Sequence, residues 1–105
     1  MANKFHLTIV TPLGEVFNGP VESISARGQL GHFGVLAGHA AMISSLAEGV
    51  LKITSEGTNQ FFAHQSGILE VKPDHNVLVL VDDALPAATE KDAHEKLNAQ
   101  QTVKG

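Results

Sequence analysis

A chain of 105 residues is one domain's worth and is long enough to fold alone. With 43% hydrophobic and 17% charged residues it is neither disordered nor a coiled coil, and the lack of cysteine excludes disulfides and thiolate metal sites, as suits a reducing compartment. The formal net charge of −4, with no basic stripe interleaved with aromatics, argues against nucleic acid, and the longest uninterrupted apolar run, Val77 to Val81, is far short of a membrane span.

The start, M-A-N-K-F-H, lacks an apolar signal core, so any work at a membrane is expected through partners rather than direct insertion. Phe5, Leu7 and Ile9 alternate with His6, Thr8 and Val10, the period of a half-buried strand. Pro12 and Gly14 punctuate a turn. Glu15 to Phe17 reads as a short strand closed by Asn18-Gly19, the strongest short hairpin signal. Pro20 suits the first residue of the next strand, Val21 to Ala26.

From Arg27 to Leu46 the chain reads R-G-Q-L-G-H-F-G-V-L-A-G-H-A-A-M-I-S-S-L. Glycine this dense works against a helix and marks tight turns or close backbone approaches. Either this is a surface loop between strands, with Met42 to Leu46 a short strand at its end, or it is a shaped contact surface. Apolar residues threaded on a glycine-rich loop are costly to leave in water. Beyond it, Val50 to Thr54, Gln60 to Gln65, Ile68 to Lys72 and Val77 to Val81 read as strands. Turns are expected at Ala47–Gly49, Ser55–Asn59 and Pro73–Asn76. The unbroken apolar run Val77 to Val81 suits a strand buried on both faces. Eight to ten short strands with regular turn signals argue a β-sandwich or flattened barrel.

The pattern changes after Asp82. Leu85-Pro86 ends the β region, and Ala87 to Gln101 has a helix-forming composition, with Thr89 and Asp92 spaced as a capping box and Asp92 and Lys96 as an i,i+4 pair. The division expected is a β-sandwich domain over 1–84 and a short helical tail over 85–105. The tail's apolar stripe is thin, so it must dock or fray.

Chemistry-bearing motifs are missing. His32 and His39 are spaced as no trusted ligand pair, no glycine run has the form of a phosphate loop, and Ser66-Gly67 lacks the strand-to-helix elbow of a nucleophilic serine. Asp82 and Asp83 point to opposite faces if the strand continues. No catalytic residue, cofactor or metal is expected. A binding module and a structural subunit both remain open on the residues alone.

Four collinear segments resemble the epsilon subunit family of the rotary F-type ATP synthase, called delta in mitochondria. They are H-L-T-I-V-T-P-L-G-E-V-F-N-G (6–19), G-H-F-G-V-L-A-G-H-A (31–40), G-V-L-K-I (49–53), and F-F-A-H-Q-S-G-I-L-E-V (61–71) with V-L-V-L-V-D-D-A (77–84). The resemblance implies a flattened ten-stranded β-sandwich followed by a C-terminal helical region. It implies a non-catalytic central-stalk subunit that couples rotation of the c-ring to the gamma subunit in proton- or sodium-driven ATP synthesis. Such a subunit is held peripherally at the cytoplasmic face of the bacterial inner membrane. On matching positions, Leu30, His32 and Phe33 would contact the polar loops of the c-ring. Thr11, His39, Met42 and Ser44 would face gamma, and the tail would reach the catalytic beta subunits.

Three departures carry consequences. Ala37 and Ala41 stand where the family usually has proline, so the loop is expected to be less rigid. His32 stands where an acidic residue is common, which exchanges an ionic contact for a hydrogen-bonding imidazole. The sequence given has room for one helix of the family's hairpin, and its single arginine, Arg27, matches none of the family's ATP-contacting arginines. The inhibitory and ATP-sensing role of the hairpin is therefore expected to be absent or reduced. The competing reading is a stand-alone β-sandwich module that binds a small ligand.

Overall fold

The computed structural model describes residues 3–104. Ten strands precede one helix: β1 Phe5–Thr11, β2 Gly14–Val21, β3 Ser23–Gly28, β4 Gly31–Leu36, β5 Met42–Leu46, β6 Gly49–Ser55, β7 Thr58–His64, β8 Gly67–Val71, β9 Val77–Val81, β10 Ala84–Ala87 and α1 Glu90–Lys104. The flattened ten-stranded sandwich with a C-terminal helix is the expected architecture. The last strand runs three residues past the expected domain boundary at 84, and the helix begins three residues later than Ala87.

Hydrogen-bonded neighbours follow the order β10-β7-β6-β3-β5-β8-β9-β1-β2, with β4 on β3. All pairings are antiparallel except β1 on β9. The path is weakest between β3 and β5, where Gly28 and Leu46 are the one paired position, and there it folds over into two layers. One layer is β10-β7-β6-β3-β4, the other β5-β8-β9-β1-β2. Alternate residues of both point inward: Ile24, Ala26, Leu51, Ile53 and Phe62 from the first, Phe5, Leu7, Ile9, Leu69, Val71, Val77 and Val79 from the second. An edge-to-face contact of Phe17 on β2 with Phe62 on β7, ring centroids 6.1 Å apart, ties the far sides of the layers together.

Three sequence expectations need correction. Asn18-Gly19 does not turn: it lies within β2, opposite Thr8 and Leu7. The hairpin turn is the one expected at Pro12 and Gly14: Pro12-Leu13, closed by the pair Thr11–Gly14. Asn18 serves the strand instead. Its Oδ1 accepts from His6 Nε2 across the pair, and its Nδ2 donates to Glu15 at 3.1 Å. Pro20 sits inside an edge strand that pairs on one side alone, where a missing N–H costs no ladder bond.

The glycine-rich stretch is less loop than expected. Its first half is a β-hairpin, β3 to β4, turning through Gln29-Leu30. Gly31, at φ +132°, opens the return strand. The third correction is β9. Val77, Val79 and Val81 are buried, but Leu78 is half-buried and Leu80 is 38% exposed. The strand is covered on one face only.

The expected turns at 55–59 and 73–76 are present. Glu56 and Gly57 both have positive φ, the geometry of the hairpin turn whose twist matches its strands. In the other, Asp74 Oδ1 accepts the Asn76 N–H at 3.0 Å.

Helix α1 lies on the outer face of β6, β7 and β10. Thr89 caps it, with Oγ1 accepting from Asp92 N at 3.0 Å, and Asp92 Oδ2 reaches back to Ala88 N at 3.4 Å. Ala93 and Leu97 are buried against the sheet. Lys96 pairs with Asp92 at 3.5 Å and donates to the Pro86 carbonyl at 2.7 Å. Gln100 closes the dock: it accepts from Gln65 Nε2 at 2.8 Å and donates to Asp83 Oδ2 at 3.2 Å. Among the described residues no helix is long and apolar enough to cross a membrane.

Candidate functional site: an uncovered apolar layer

The helix shields the β10-β7-β6 part of one layer's outer face, and the outer face of β5-β8-β9-β1 has no such cover among the described residues. Register fixes which side chains it shows. Ser45, Ile68, Leu80 and Val10 stand side by side across four strands, and Ile43, Glu70, Leu78 and Thr8 form the next row. Ile43 is 70% exposed, Ile68 37% and Leu80 38%. Single exposed aliphatics are ordinary, but several adjacent ones on one face mark a contact surface.

Both ends of this band are extended by hairpin tips. A cleft of about 450 Å³ joins Ile43, Ser44 and Ser45 to the β3–β4 turn, including Leu30, His32 and Phe33. A second depression joins Leu80 to Val10, Thr11 and Pro12. Leu30 and Leu13 are each the apex of a two-residue turn and are fully exposed, at 105% and 97%. Both turns lie at the end of the sandwich where β1, β3, β5 and β9 finish.

The residues singled out by sequence fall into different settings. Leu30 projects into solvent, and His32 is exposed opposite Arg27. Phe33 is half-buried against the core, and its ring lies over Gly28, where an added Cβ would meet Cε1 at 3.0 Å. Thr11 is 8% exposed, and its hydroxyl organises the first hairpin, accepting from Leu13 N at 3.2 Å and donating to the Gly14 carbonyl at 3.4 Å. His39 is half-buried in the loop between β4 and β5, and its Nδ1 donates to the Ala40 carbonyl at 2.8 Å. Met42 and Ser44 pair with Val71 and Leu69, so they share the inward face of β5. Ile43 and Ser45 are the residues of that strand that face outward.

The cleft thus unites Leu30, His32 and Phe33 with Ser44, while Thr11 borders the far side of the band and His39 lies at the opposite end of β4. Sequence reading missed Leu13, Ile68 and Leu80, whereas Ile43 lies within the stretch Arg27 to Leu46 that the sequence offered as a loop or a shaped contact surface. A signal existed: β5, β8 and β9 carry apolar residues in both parities, more than a thin two-layer fold with one covering helix can bury.

Two buried polar side chains also escaped notice. His64 and Gln65 are each 2% exposed at the end of β7. The His64 Nδ1 donates to the Gln65 carbonyl at 2.8 Å, and its Nε2 has no partner among the described residues. Burial pushes the His64 imidazole below the ordinary histidine range, against the opposing effect of that hydrogen bond. Asp83 is structural, its Oδ1 accepting from Ala84 N at 3.0 Å. Among the described residues no three His, Asp or Glu side chains gather as a metal site requires.

The family described as ATP synthase, Delta/Epsilon chain, beta-sandwich domain matches residues 4–87. An ATP synthase epsilon chain of Legionella pneumophila (strain Corby) is 42% identical over 85 residues, 80% of this chain and 60% of that protein. The epsilon chain of Bacillus subtilis (strain 168) is 30% identical over 102 residues, 90% of this chain and 77% of that protein. Among solved structures, a chain of the Euglena gracilis mitochondrial ATP synthase (OSCP/F1/c-ring, rotational state 1) superposes with a TM-score of 0.77 at 29% identity, over 92% of this chain and 61% of that one. A chain of the Tetrahymena thermophila mitochondrial ATP synthase central stalk and c-ring shares the fold, with a TM-score of 0.69 at 18% identity over 98% of this chain and 93% of that one. The chain spans about 60% of the length of the Legionella relative. It belongs to the delta/epsilon family of ATP synthase subunits.

Proposed function

We propose that this chain is a non-catalytic central-stalk subunit that couples c-ring rotation to the gamma subunit during ion-driven ATP synthesis. It is held peripherally at the cytoplasmic face of a bacterial inner membrane by its partners. One observation carries the reading: the helix covers β6, β7 and β10 of one layer and none of the other, and the uncovered layer shows an apolar band through Ile43, Ile68 and Leu80. Subunits that stay assembled bury such surfaces at the desolvated centre of their contact.

The band and its rim fit gamma. Thr11 borders one side of it, and Met42 and Ser44 belong to the strand at the other. His39, beyond the start of that strand, extends the same contact. The hairpin end fits the c-ring: Leu30 at a turn apex, with His32 beside it and Phe33 bracing the hairpin from within. Leu13, at a neighbouring apex, joins that end. A polar loop received there meets leucines and an imidazole rather than a carboxylate.

Co-assembly tests the reading. The chain is expected to co-purify with gamma and, with gamma present, to bind c-ring-containing membranes. Leu30→Ser with Leu13→Ser should lower membrane binding while leaving gamma binding intact. Failure of the native chain to bind gamma at all would overturn the reading.

A further inference from the structure

The bare layer also ends in a bare strand edge. Strand β5 is fully paired with β8 on one side, and on the other it meets β3 at Leu46 alone. The Ser45 carbonyl accepts from Gln29 N at 3.2 Å, and Ala47 N donates to the Arg27 carbonyl at 3.1 Å. Backbone groups of Ser45 therefore point away from β8. By the alternation of a strand, those of Ile43 do too, whereas those of Met42, Ser44 and Leu46 point toward β8. The Ile43 N–H and C=O and the Ser45 N–H face the cleft of about 450 Å³ under the β3–β4 hairpin.

Exposed edges recruit other strands, and folded proteins blunt them with proline, lysine, irregular pairing or a covering element. The other edges here are blunted. β2 carries Pro20, and its pairing with β1 shifts between Ile9 and Val10. β10 carries Pro86 and lies under α1. β4 begins at Gly31 and carries Gly34 in its interior, which weakens it as a template. β5, M-I-S-S-L, has no proline, glycine or charge.

We infer that β5 is a docking edge, where an extended, uncharged segment of a partner protein adds as a strand through backbone hydrogen bonds to Ile43 and Ser45. The chemistry of the edge selects the occupant. Unpaired N–H and C=O groups at strand spacing call for another extended backbone. Alternate side chains of the guest would meet Ile43 on the outer face and Phe33 and Met42 on the inner one. The edge is continuous with the apolar band, so the guest segment belongs to the partner that covers the band. The inference rests on gamma being that partner.

Binding of the intact chain to purified gamma tests it. Ile43→Pro deletes the cleft-facing N–H without removing a bond to β8, and Ile43→Ala removes the same side chain but keeps the N–H. Ile43→Pro is expected to bind gamma at least about ten-fold more weakly than Ile43→Ala, the scale of losing a backbone bond and wedging a ring into the contact. In the native complex, amide exchange at Ile43 and Ser45 should slow on binding, while Ser44, already bonded to β8, changes little. This second measurement decides the matter should the proline variant not fold. Equal binding by the two variants, or unchanged exchange at Ile43 and Ser45 in a formed complex, would overturn strand addition and leave the coupling role standing. No binding by the native chain would overturn the coupling role itself. A concentration-dependent dimer that protects the same amides, with gamma leaving them unchanged, would make a second copy the occupant and also overturn the inference.

Discussion

Gly67 lies so close to Leu80 that a Cβ built on it would stand 1.9 Å from the Leu80 carbonyl oxygen and 2.8 Å from the Val81 Cα. The contact is backbone against backbone, so no side-chain rotation relieves it. It holds β8 on β9 at the head of the apolar band, where Gly67 pairs with Val81. Gly67→Ala must push the two strands apart and is expected to cost about 2–3 kcal/mol, in the range of overpacking changes. Urea unfolding of the two proteins measures it, and an unchanged midpoint would show that the strands part freely. Gly57→Ala serves as the contrast: no atom lies near its Cβ, and its cost comes from positive φ alone.

His64 makes stability depend on pH. Its pKa is lowered in the fold by desolvation, so below the ordinary value near 6.5 the unfolded chain binds a proton that the folded chain refuses. The contribution is fully present above about pH 6.5. It is lost as pH falls from there, down to the lowered folded value. Unfolding free energies measured between pH 8 and 5.5 should decline more steeply for the native chain than for His64→Leu. Parallel curves would mean that the imidazole is protonated as easily inside as out.

The helix is held by its cap, a few polar contacts and two buried apolar residues, Ala93 and Leu97, rather than by a broad stripe. Thr89→Ala, which removes the cap, is expected to cost about 1 kcal/mol. Leu97→Ala, which empties the dock, should cost about 2–3 kcal/mol of helix packing. The readout is local: amide exchange in α1 should quicken while β1, β8 and β9 stay protected. Equal loss of protection throughout would mean that helix and sandwich unfold as one unit.

Much of this architecture was legible in the sequence because period-2 alternation survives wherever one face is buried. Phe5, Leu7 and Ile9 announced β1 in register, and Thr89 with Asp92 announced the helix start. The failures share a cause. Asn18-Gly19 is a turn signal by itself, but in β2 its amide is used across the strand pair, and Pro12-Leu13 makes the turn. Val77 to Val81 looked doubly buried because apolar residues in both parities signal either two covered faces or one covered face and one contact face. Only the position of α1, on the other layer, separates the two. Ser44 and Met42 were placed by resemblance on a contact strand, and register alone shows that Ile43 and Ser45 are its outward residues. His64 and Gln65 gave no signal, since buried polar residues at a strand end follow no period.

We propose that the stalk grips the uncovered layer and not the helix-covered one. Gamma binding should be compared for Leu80→Asp, which charges the band, and Asn59→Asp, which adds the same charge to the other layer while keeping an acceptor for Thr54 Oγ1. With unfolding midpoints matched, Leu80→Asp is expected to weaken binding by about ten-fold or more, as charging an interface centre does, and Asn59→Asp to leave it unchanged. Equal affinities for both variants and the native chain, with all three folded, would contradict the claim.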